Sequence, residues 1–301
     1  MTASGAVAPQ GISGNWATVG TRRRRKGGKR ALKLKERRMS RKVEVKFGTM
    51  NVGTMTGKGR ELADAMEKRK LDILCVQDTR CKGSKARSIG GGFKLFYHGV
   101  DRKRNGVGVI LKEEFSKSVV EVKRVSDRVI CVKLEIDGVV MNVISAYAPQ
   151  VGCDMEEKEE FWRELDEVVL QVPIEDRMIL GADFNRHVGE GNSGNEEVMG
   201  RYRVKERNTE GQMVVDFAKT IKMAVVNTYF KKISVNYSQK SGGRGTQVDY
   251  ILCRRRNLKE VSDYKVVPGE SVATQHGMVM CRMVLEVKKK KTVRAKPKIR
   301  W

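Results

Sequence analysis

The sequence predicts a mixed α/β domain, and two observations support that prediction. Between residues 43 and 287, short runs typical of β-strands alternate with turns, and three longer segments show the apolar periodicity of helices. Apolar residues make up 40% of the 301-residue chain, which is enough to build a sizeable core. We therefore expect about ten or more strands, with a few helices packed against them.

The first elements follow one another directly. Residues 43–52 (VEVKFGTMNV) begin with the alternation of a strand, and residues 59–70 place apolar side chains on one helical face. Residues 71–78 (LDILCVQD) have the pattern of a buried strand that ends in a carboxylate. Five β-type runs follow between residues 93 and 149, with Asp137-Gly138 as the hairpin turn between the last two.

The second half of the domain continues the pattern. Residues 155–172 form the clearest helix, because its apolar residues share one face. A strand at residues 178–185 (MILGADFN) and a helix at residues 210–223 come next, separated by a long loop at residues 189–208 that contains four glycines. Four further β-type runs (AVVNTYF, QVDYILCR, DYKVVP and MVMCRMVLEV) complete the domain.

Most of the net positive charge lies outside this domain. The net charge is +25, and residues 1–42 and 288–301 supply 20 of these charges. Such blocks of like charge cannot bury enough apolar surface to fold, so we expect disordered basic tails flanking a domain at residues 43–287. A basic tail serves as a nuclear-import address, a phosphate-binding arm or a solubilising end. We predict a nuclear location, with nucleic-acid contacts from Arg22, Arg23, Arg24, Arg25, Lys288 and Lys289.

Membrane and secreted classes do not fit the sequence. No apolar run approaches the roughly 20 residues that a membrane-spanning helix needs. The N-terminus has no cationic start followed by an apolar stretch, so we expect no secretion signal. The six cysteines form no C-x-x-C pair, and several lie in apolar runs, which predicts reduced and mostly buried thiols in an intracellular protein.

Polar residues recur where the apolar strands stop. A single Asp or Asn at a strand end is usually a turn former, but strands that converge in one sheet would bring the whole set to one edge. The set comprises Asn51, Asp78, Tyr147, Asp183, Asn185, Asp249 and His276. Carboxylates and amides favour a hard cation such as Mg²⁺ or Mn²⁺. With a base for water and an imidazole for phosphate charge, this chemistry suits phosphodiester hydrolysis.

The motifs that carry these residues also carry a family resemblance. GTMNV, CVQDTR, SAYAP, GADFN, VDYIL and TQHG resemble the motifs of the endonuclease/exonuclease/phosphatase superfamily, which includes apurinic endonucleases and deoxyribonuclease I. More narrowly, the chain resembles the endonuclease domain of RTE-class non-LTR retrotransposons and the craniofacial development protein 2-like sequences derived from them. The resemblance covers residues 43–287 and implies a four-layer α/β/β/α sandwich of two sheets flanked by helices.

The resemblance also implies roles for the site residues. It implies metal contact from Asn51 and Asp78, and water activation by Asp183 with Asn185. It further implies that Tyr147 contacts the leaving group or phosphate, that His276 contacts phosphate, and that Asp249 orients His276.

Three positions depart from the family pattern. The metal-binding carboxylate is usually Glu, within Q-E-T, whereas this chain has Asp78 after Gln77. Asp is shorter by one methylene, about 1.5 Å of reach, which predicts weaker metal binding. The last motif is Gln275-His276 instead of Asp-His, and Gly277 follows where a basic residue is common.

These observations leave three hypotheses about function. The leading one is a Mg²⁺- or Mn²⁺-dependent endonuclease of retrotransposon origin that nicks DNA. A second is a catalytically weakened, domesticated copy that binds nucleic acid through its tails. A third is an RNA or small-molecule phosphodiesterase, although the charge of the tails argues against small substrates.

Overall fold

A computed structural model describes residues 40–189, 194–202, 209–231, 239–241, 244–267, 273 and 275–288. The four α-helices of the described residues are α1 (Gly59–Arg69), α2 (Glu113–Ser116), α3 (Met155–Leu170) and α4 (Thr209–Thr220). The described part of the chain also contains two 3₁₀ helices, Val226–Thr228 and Arg255–Glu260. Its strands are β1 (Ser40–Asn51), β2 (Ile73–Gln77), β3 (Gly83–Gly90), β4 (Phe93–Gly99), β5 (Val107–Lys112), β6 (Val119–Ser126), β7 (Val129–Ile136), β8 (Val139–Tyr147), β9 (Arg177–Asp183), β10 (Met223–Val225), β11 (Gln239–Ser241), β12 (Arg244–Thr246), β13 (Asp249–Arg254), β14 (Val261–Val267) and β15 (Met278–Lys288).

Two large sheets form the centre of the fold. Sheet one has seven strands in the order β14-β15-β1-β2-β5-β4-β3, and sheet two has six in the order β10-β13-β9-β8-β7-β6. Each sheet contains one parallel pair, β1/β2 and β8/β9, and a helix connects the two strands of each pair. Strands β11 and β12 form a separate two-stranded ribbon.

Three buried clusters show that the fold has four layers. The largest lies between the sheets and includes Phe47, Val109, Val143 and Ile251. A second packs α3 and α4 against the outer face of sheet two, and a third packs α1 against the outer face of sheet one. The predicted α/β/β/α sandwich is therefore confirmed.

The two sheets approach each other closely at Gly181 of β9. A Cβ atom built there would lie 2.8 Å from the Cβ atoms of Thr49 and Cys75, which belong to sheet one. Real Cβ atoms do not come this close, so only glycine fits between the sheets at this point. The glycine of the GADFN motif thus sets the spacing of the sandwich near the ends of β1, β2 and β9.

Element boundaries agree with the sequence pattern where apolar periodicity is strong. The predicted helices at 59–70 and 155–172 correspond to α1 and α3, and Asp137-Gly138 is the β7–β8 turn, with both residues at positive φ. The helix predicted at 210–223 stops at Thr220, because Lys222 takes the left-handed conformation and the chain enters β10.

Strands β10 and β3 differ from the sequence prediction, and the ribbon strands β11 and β12 were not predicted. The run AVVNTYF leaves sheet two after Val225, because Asn227 uses its side chain to bond the Asp249 carbonyl and the Ile251 amide, both at 2.9 Å. Strand β3 is absent from the prediction, since its sequence GSKARSIG is polar and lies exposed at the edge of sheet one.

The chain enters and leaves the sandwich at one place. Ser40 pairs with Lys288 at the ends of β1 and β15, so β1 begins within the predicted N-terminal tail. Arg22, Arg23, Arg24, Arg25 and Lys289 lie outside the described residues, and only the backbone of Lys288 is described. None of the described helices is both long and apolar enough to cross a membrane.

The first prediction tests the close approach of the sheets. Gly181→Ala should lower the free energy of unfolding by about 1–3 kcal/mol, because the added methyl overpacks a rigid contact. Gly152→Ala is the matched control, since a Cβ there meets nothing within 4 Å. Urea denaturation of both variants measures the effect, and equal stabilities would contradict the predicted clash.

Candidate active site

Strand alternation brings the predicted polar residues to one end of the space between the sheets. Asn51 is paired with Gln77 in sheet one, and Asp183 is paired with both Tyr147 and Asp249 in sheet two. These five residues lie on the same faces as the apolar side chains of the central cluster, because side chains along a strand alternate with a period of two. The pairing register of the strands therefore brings these predicted site residues together.

Asp78 reaches the site in a different way. Alternation would turn its side chain away from Gln77, but Asp78 and Arg80 both have φ of 50°, in the left-handed region. Backbone bonds of 2.9 Å from Thr79 to the Gly106 carbonyl and from Arg80 to the Asn105 carbonyl hold this turn. The neighbouring loop therefore stabilises Asp78 and Arg80 in a backbone conformation that non-glycine residues rarely adopt.

Gln77 ties the two sheets together beneath the site. Its side-chain Nε2 donates to Thr49 Oγ1 at 3.0 Å, to Ser145 Oγ at 3.0 Å and to the Gly181 carbonyl at 3.2 Å. Ser145 in turn donates to the Val76 carbonyl at 3.2 Å. All of these groups are buried, so the network holds the strand ends in a fixed relation.

Asp183 is the buried centre of the site. Its Oδ2 accepts from Asn51 Nδ2 at 2.9 Å, and its Oδ1 accepts from the Asn185 backbone amide at 2.9 Å. Burial, followed by the negative charge of Asp249, raises the pKa of Asp183 to about 7, although His276 and the bond from Asn51 oppose the rise. A carboxylate with this pKa is suited to accept a proton near neutral pH.

His276 and Asp249 form a buried pair beside Asp183. His276 Nδ1 lies 2.9 Å from Asp249 Oδ2, so Nδ1 donates and Nε2 is left to act on another group. Burial alone would lower the pKa of His276, but the charge and hydrogen bond of Asp249 outweigh it and raise the pKa to about 9. The imidazole is therefore a cation at neutral pH.

Tyr147 and Asn185 complete the predicted set. Burial raises the pKa of the Tyr147 phenol to about 12, and the charges of Asp183 and Asp78 add to the rise, so the hydroxyl keeps its proton. Asn185 has φ of 52° and donates from Nδ2 to the Ala148 carbonyl at 2.9 Å. Both residues are fixed with a polar atom beside the cleft.

An open cleft of about 270 Å³ lies over these residues. It is lined by Asn51, Asp78, Tyr147, Asn185 and His276, and also by Val52, Gly53, Lys58, Arg80, Gln150, Ala273 and Gln275. Asp183 and Asp249 lie beneath it, fully buried. Each of these two aspartates bonds to a residue of the lining, Asp183 to Asn51 and Asp249 to His276. The structure therefore brings the whole predicted catalytic and metal-binding set together.

Comparisons with known proteins identify the family of this chain. The family model of the endonuclease/exonuclease/phosphatase family matches residues 48–271, which is more than half of the chain. The chain belongs to the endonuclease/exonuclease/phosphatase family.

Two similar curated relatives are named craniofacial development protein 2. Those of Bos taurus and Tragulus javanicus are 25% and 24% identical over 82% of this chain. The chain spans less than half of their length, at 42% and 43%.

Solved structures share the fold of this family member. An AP endonuclease from Archaeoglobus fulgidus has a TM-score of 0.60 at 17% identity, covering 79% of this chain and 98% of that one. A 3′ phosphatase from Neisseria, bound to product DNA hairpin, has a TM-score of 0.63 at 16% identity, covering 79% and 99%. The endonuclease domain of TRAS1, a telomere-specific non-LTR retrotransposon, has 0.59 at 13% identity, covering 82% and 100%.

Two groups of residues in this family member fit a divalent cation. Asp183, Asp249 and His276 have ligand atoms within 4.8 Å of one another. The second group, Asn51 and Asp78, offers oxygen ligands at the open cleft. The second group fits Mg²⁺ better, because Mg²⁺ prefers oxygen and a protonated His276 is no ligand.

Arg80 is a site residue that the sequence analysis missed. Its Nη2 lies 3.1 Å from Asp78 Oδ2 and its Nε lies 3.3 Å from Asp78 Oδ1, so the guanidinium engages both carboxylate oxygens. Lys58, which lines the cleft, and Gln77, which lies beneath it, were also missed as site residues. Arg80 sits inside the CVQDTR motif, but its pairing depends on the left-handed turn, which the sequence pattern does not show.

The second prediction concerns the His276–Asp249 pair. Asp249→Asn should lower the pKa of His276 from about 9, because burial lowers it and only the smaller contributions of Asp183 and Asp78 then remain to raise it. NMR titration of the imidazole measures this change, with His98 as an internal control that should not move.

Stability provides an independent measurement of the same pair. A pKa raised on folding stabilises the protein fully below pH 6.5, and that contribution is lost as pH rises through 9. The stability difference between the native chain and Asp249→Asn should therefore shrink over this interval. A His276 pKa that Asp249→Asn leaves at about 9 would contradict the pairing.

Proposed function

We propose that this family member is a Mg²⁺- or Mn²⁺-dependent endonuclease of retrotransposon origin, and that it nicks DNA. The observation that carries the proposal is a group of hydrogen-bonded side chains beneath the cleft. In this group Asp183 accepts hydrogen bonds from Asn51 and Asn185 and lies beside the His276–Asp249 pair. A proton acceptor and a cation side by side are what phosphodiester hydrolysis requires.

Each residue takes a role that its contacts support. Asp183 accepts a proton from water, and Asn185 helps to orient that water. His276 places its positive charge and its Nε2 toward a phosphate oxygen, while Asp249 keeps the ring oriented. Tyr147 donates its retained proton to phosphate or to the leaving oxygen.

A divalent cation fits the same cleft. Asn51 Oδ1 accepts one bond, from the Gly53 amide at 2.9 Å, and keeps a second lone pair, while Asp78 supplies a carboxylate. When bound there, the ion would neutralise phosphate charge.

The positive charge of the terminal segments and the similar solved structures support DNA as the substrate. The two terminal segments supply 20 of the 25 net charges, which favours a polyanion. The similar structures include an AP endonuclease from Archaeoglobus fulgidus, a Neisseria 3′ phosphatase bound to a product DNA hairpin, and the TRAS1 retrotransposon endonuclease domain. The DNA bound to the Neisseria protein favours DNA over the alternative substrate, RNA. A nuclear location follows from the proposed substrate and the basic N-terminal run.

A second candidate function rests on the Asp78–Arg80 ion pair. The chain has a shorter carboxylate than the usual Glu, and both of its oxygens are engaged by Arg80. The guanidinium therefore competes with a cation for the charge and the lone pairs of Asp78. A catalytically weakened copy that acts by binding nucleic acid is therefore the alternative.

The third prediction tests the enzyme directly. The full chain should nick supercoiled plasmid with Mg²⁺ or Mn²⁺ and lose this activity in excess EDTA. Asp183→Asn and His276→Ala should each slow nicking by about 10²-fold or more, because each removes a proton acceptor or a stabilising charge. His98→Gln is the control, since His98 bonds Ser84 on strand β3 and does not line the cleft. Nicking that persists in EDTA, or in Asp183→Asn, would overturn the mechanism.

The fourth prediction separates the active enzyme from the weakened copy. Asp78→Glu should lower the Mg²⁺ concentration for half-maximal nicking, because the longer carboxylate regains about 1.5 Å of reach. Arg80→Gln should lower it as well if the ion pair competes with the metal. Arg163→Gln removes the same charge from the exposed face of α3 and is the control. If neither cleft variant changes the Mg²⁺ requirement, Asp78 does not limit metal binding.

The fifth prediction concerns the tails. We propose that they hold DNA while residues 43–287 do the chemistry. Each phosphate neutralised contributes about 0.9 to the slope of log affinity against log salt. Removing residues 1–39 and 289–301, which leaves β1 and β15 intact, should therefore flatten the slope by several units. Fluorescence anisotropy of labelled DNA with the full chain and with the shortened chain measures the two salt slopes. An unchanged slope would leave the N-terminal run as an import address only.

A further inference from the structure

A second cavity, larger than the cleft, lies at the other end of sheet two. Its volume is about 440 Å³, and its lining includes five cations and one carboxylate, Glu197. We call it the basic pocket, defined by Lys219, Lys222, Arg254, Arg255 and Arg256. Asp249 and Arg254 are the two ends of β13, which at about 3.3 Å per residue puts the pocket roughly 17 Å from the catalytic pair. The proposed nicking chemistry makes no use of it.

The arginines of the pocket are fixed without being neutralised. Arg254 Nη2 donates to the Val172 carbonyl at 2.8 Å, and Arg256 Nη2 donates to the Asp176 carbonyl at 3.2 Å. Arg255 Nη1 donates to the Tyr229 hydroxyl at 2.9 Å. Because these acceptors are uncharged, the guanidinium groups are oriented while their positive charge remains available.

Nearby acidic groups offset only part of this charge. Glu175 and Asp176 lie close enough to affect Arg254, but Asp176 also contacts Lys133 at 3.7 Å. Burial and the positive charge of Arg256 lower the pKa of Arg254, as expected where cations crowd together. Five cations facing one lining carboxylate form a site for an anion.

The rest of the lining is apolar. Ile174, which is 71% exposed, and the buried Val198 contribute the apolar surface. A cavity of this volume is in the range of small-ligand pockets, so it suits a single nucleotide better than a duplex. Apolar surface beside fixed guanidinium groups suits an unpaired base next to its phosphate. Lys219 and Lys222 alone would be ordinary, because lysines are common at the C-terminal end of a helix. The three arginines come from a different part of the chain, the end of β13 and the 3₁₀ helix that follows it, so helix capping does not account for the whole cluster.

We propose that the basic pocket binds one unpaired nucleotide of a single-stranded nucleic acid. The phosphates contact the cations, and the base lies against Ile174. This contact is separate from the cleft and does not depend on nicking activity.

The experiment measures binding of labelled single-stranded DNA, single-stranded RNA and duplex DNA to the full chain by fluorescence anisotropy. Lys219→Gln/Lys222→Gln removes two charges of the pocket without touching the arginine contacts. The matched control is Lys68→Gln/Lys70→Gln, which removes two lysines at the C-terminal end of α1, against the other sheet. In both doublets the second lysine has a left-handed φ, 54° for Lys222 and 55° for Lys70.

The pocket variant should bind single strands about tenfold more weakly than the control variant, with a salt slope lower by about 0.7 for each phosphate that the pocket no longer neutralises. Ile174→Ser should weaken single-strand binding and leave the salt slope unchanged, because it removes only the surface against which the base packs. A weaker affinity for one kind of strand alone identifies RNA or DNA as the source of the nucleotide. Equal single-strand affinities for the pocket and control variants, or weakening confined to duplex DNA, would overturn the proposal.

Discussion

The hydrogen bonds of Gln77 fix the distance between the two sheets, and the site depends on that distance. Gln77 extends from sheet one to Ser145 and Gly181 of sheet two, and Gly181 permits the approach because it has no Cβ. Buried amides are costly unless they are satisfied, so this network favours one spacing of the sheets. At that spacing Asn51 of sheet one bonds to Asp183 of sheet two at 2.9 Å.

The site combines a buried anionic interior with a basic border. Asp183 and Asp249 are fully buried and share one histidine cation, whereas Lys58 and Arg80 line the opening. Burying like charges together costs stability, and Asp183 responds with a raised pKa. The cost is tolerated because the surrounding strands and the Gln77 network determine the geometry, which is how strain persists at functional sites.

Apolar periodicity predicted most of the fold and the residues that follow from strand register. Asn51, Tyr147, Asp183 and Asp249 face the same space because they lie at strand ends, on the faces that side-chain alternation turns toward the central core. The pairing of Asp78 with Arg80 could not be predicted in this way, because it depends on left-handed residues held by contacts with Asn105 and Gly106. The polar edge strand β3 was missed for a similar reason, since only tertiary pairing makes it a strand.

The pairing of Ser40 with Lys288 has a geometric consequence for any ligand held near the ends of the domain. Asn51 is eleven residues further along β1, so at about 3.3 Å per residue the cleft lies roughly 35 Å from this point. That span is close to one helical turn of duplex DNA, about 34–36 Å. If the proposed DNA substrate is held beside Ser40 and its axis runs along β1, the contact at Ser40 and the cleft would meet phosphates about ten base pairs apart, so that contact would select the position of cleavage as well as strengthen binding.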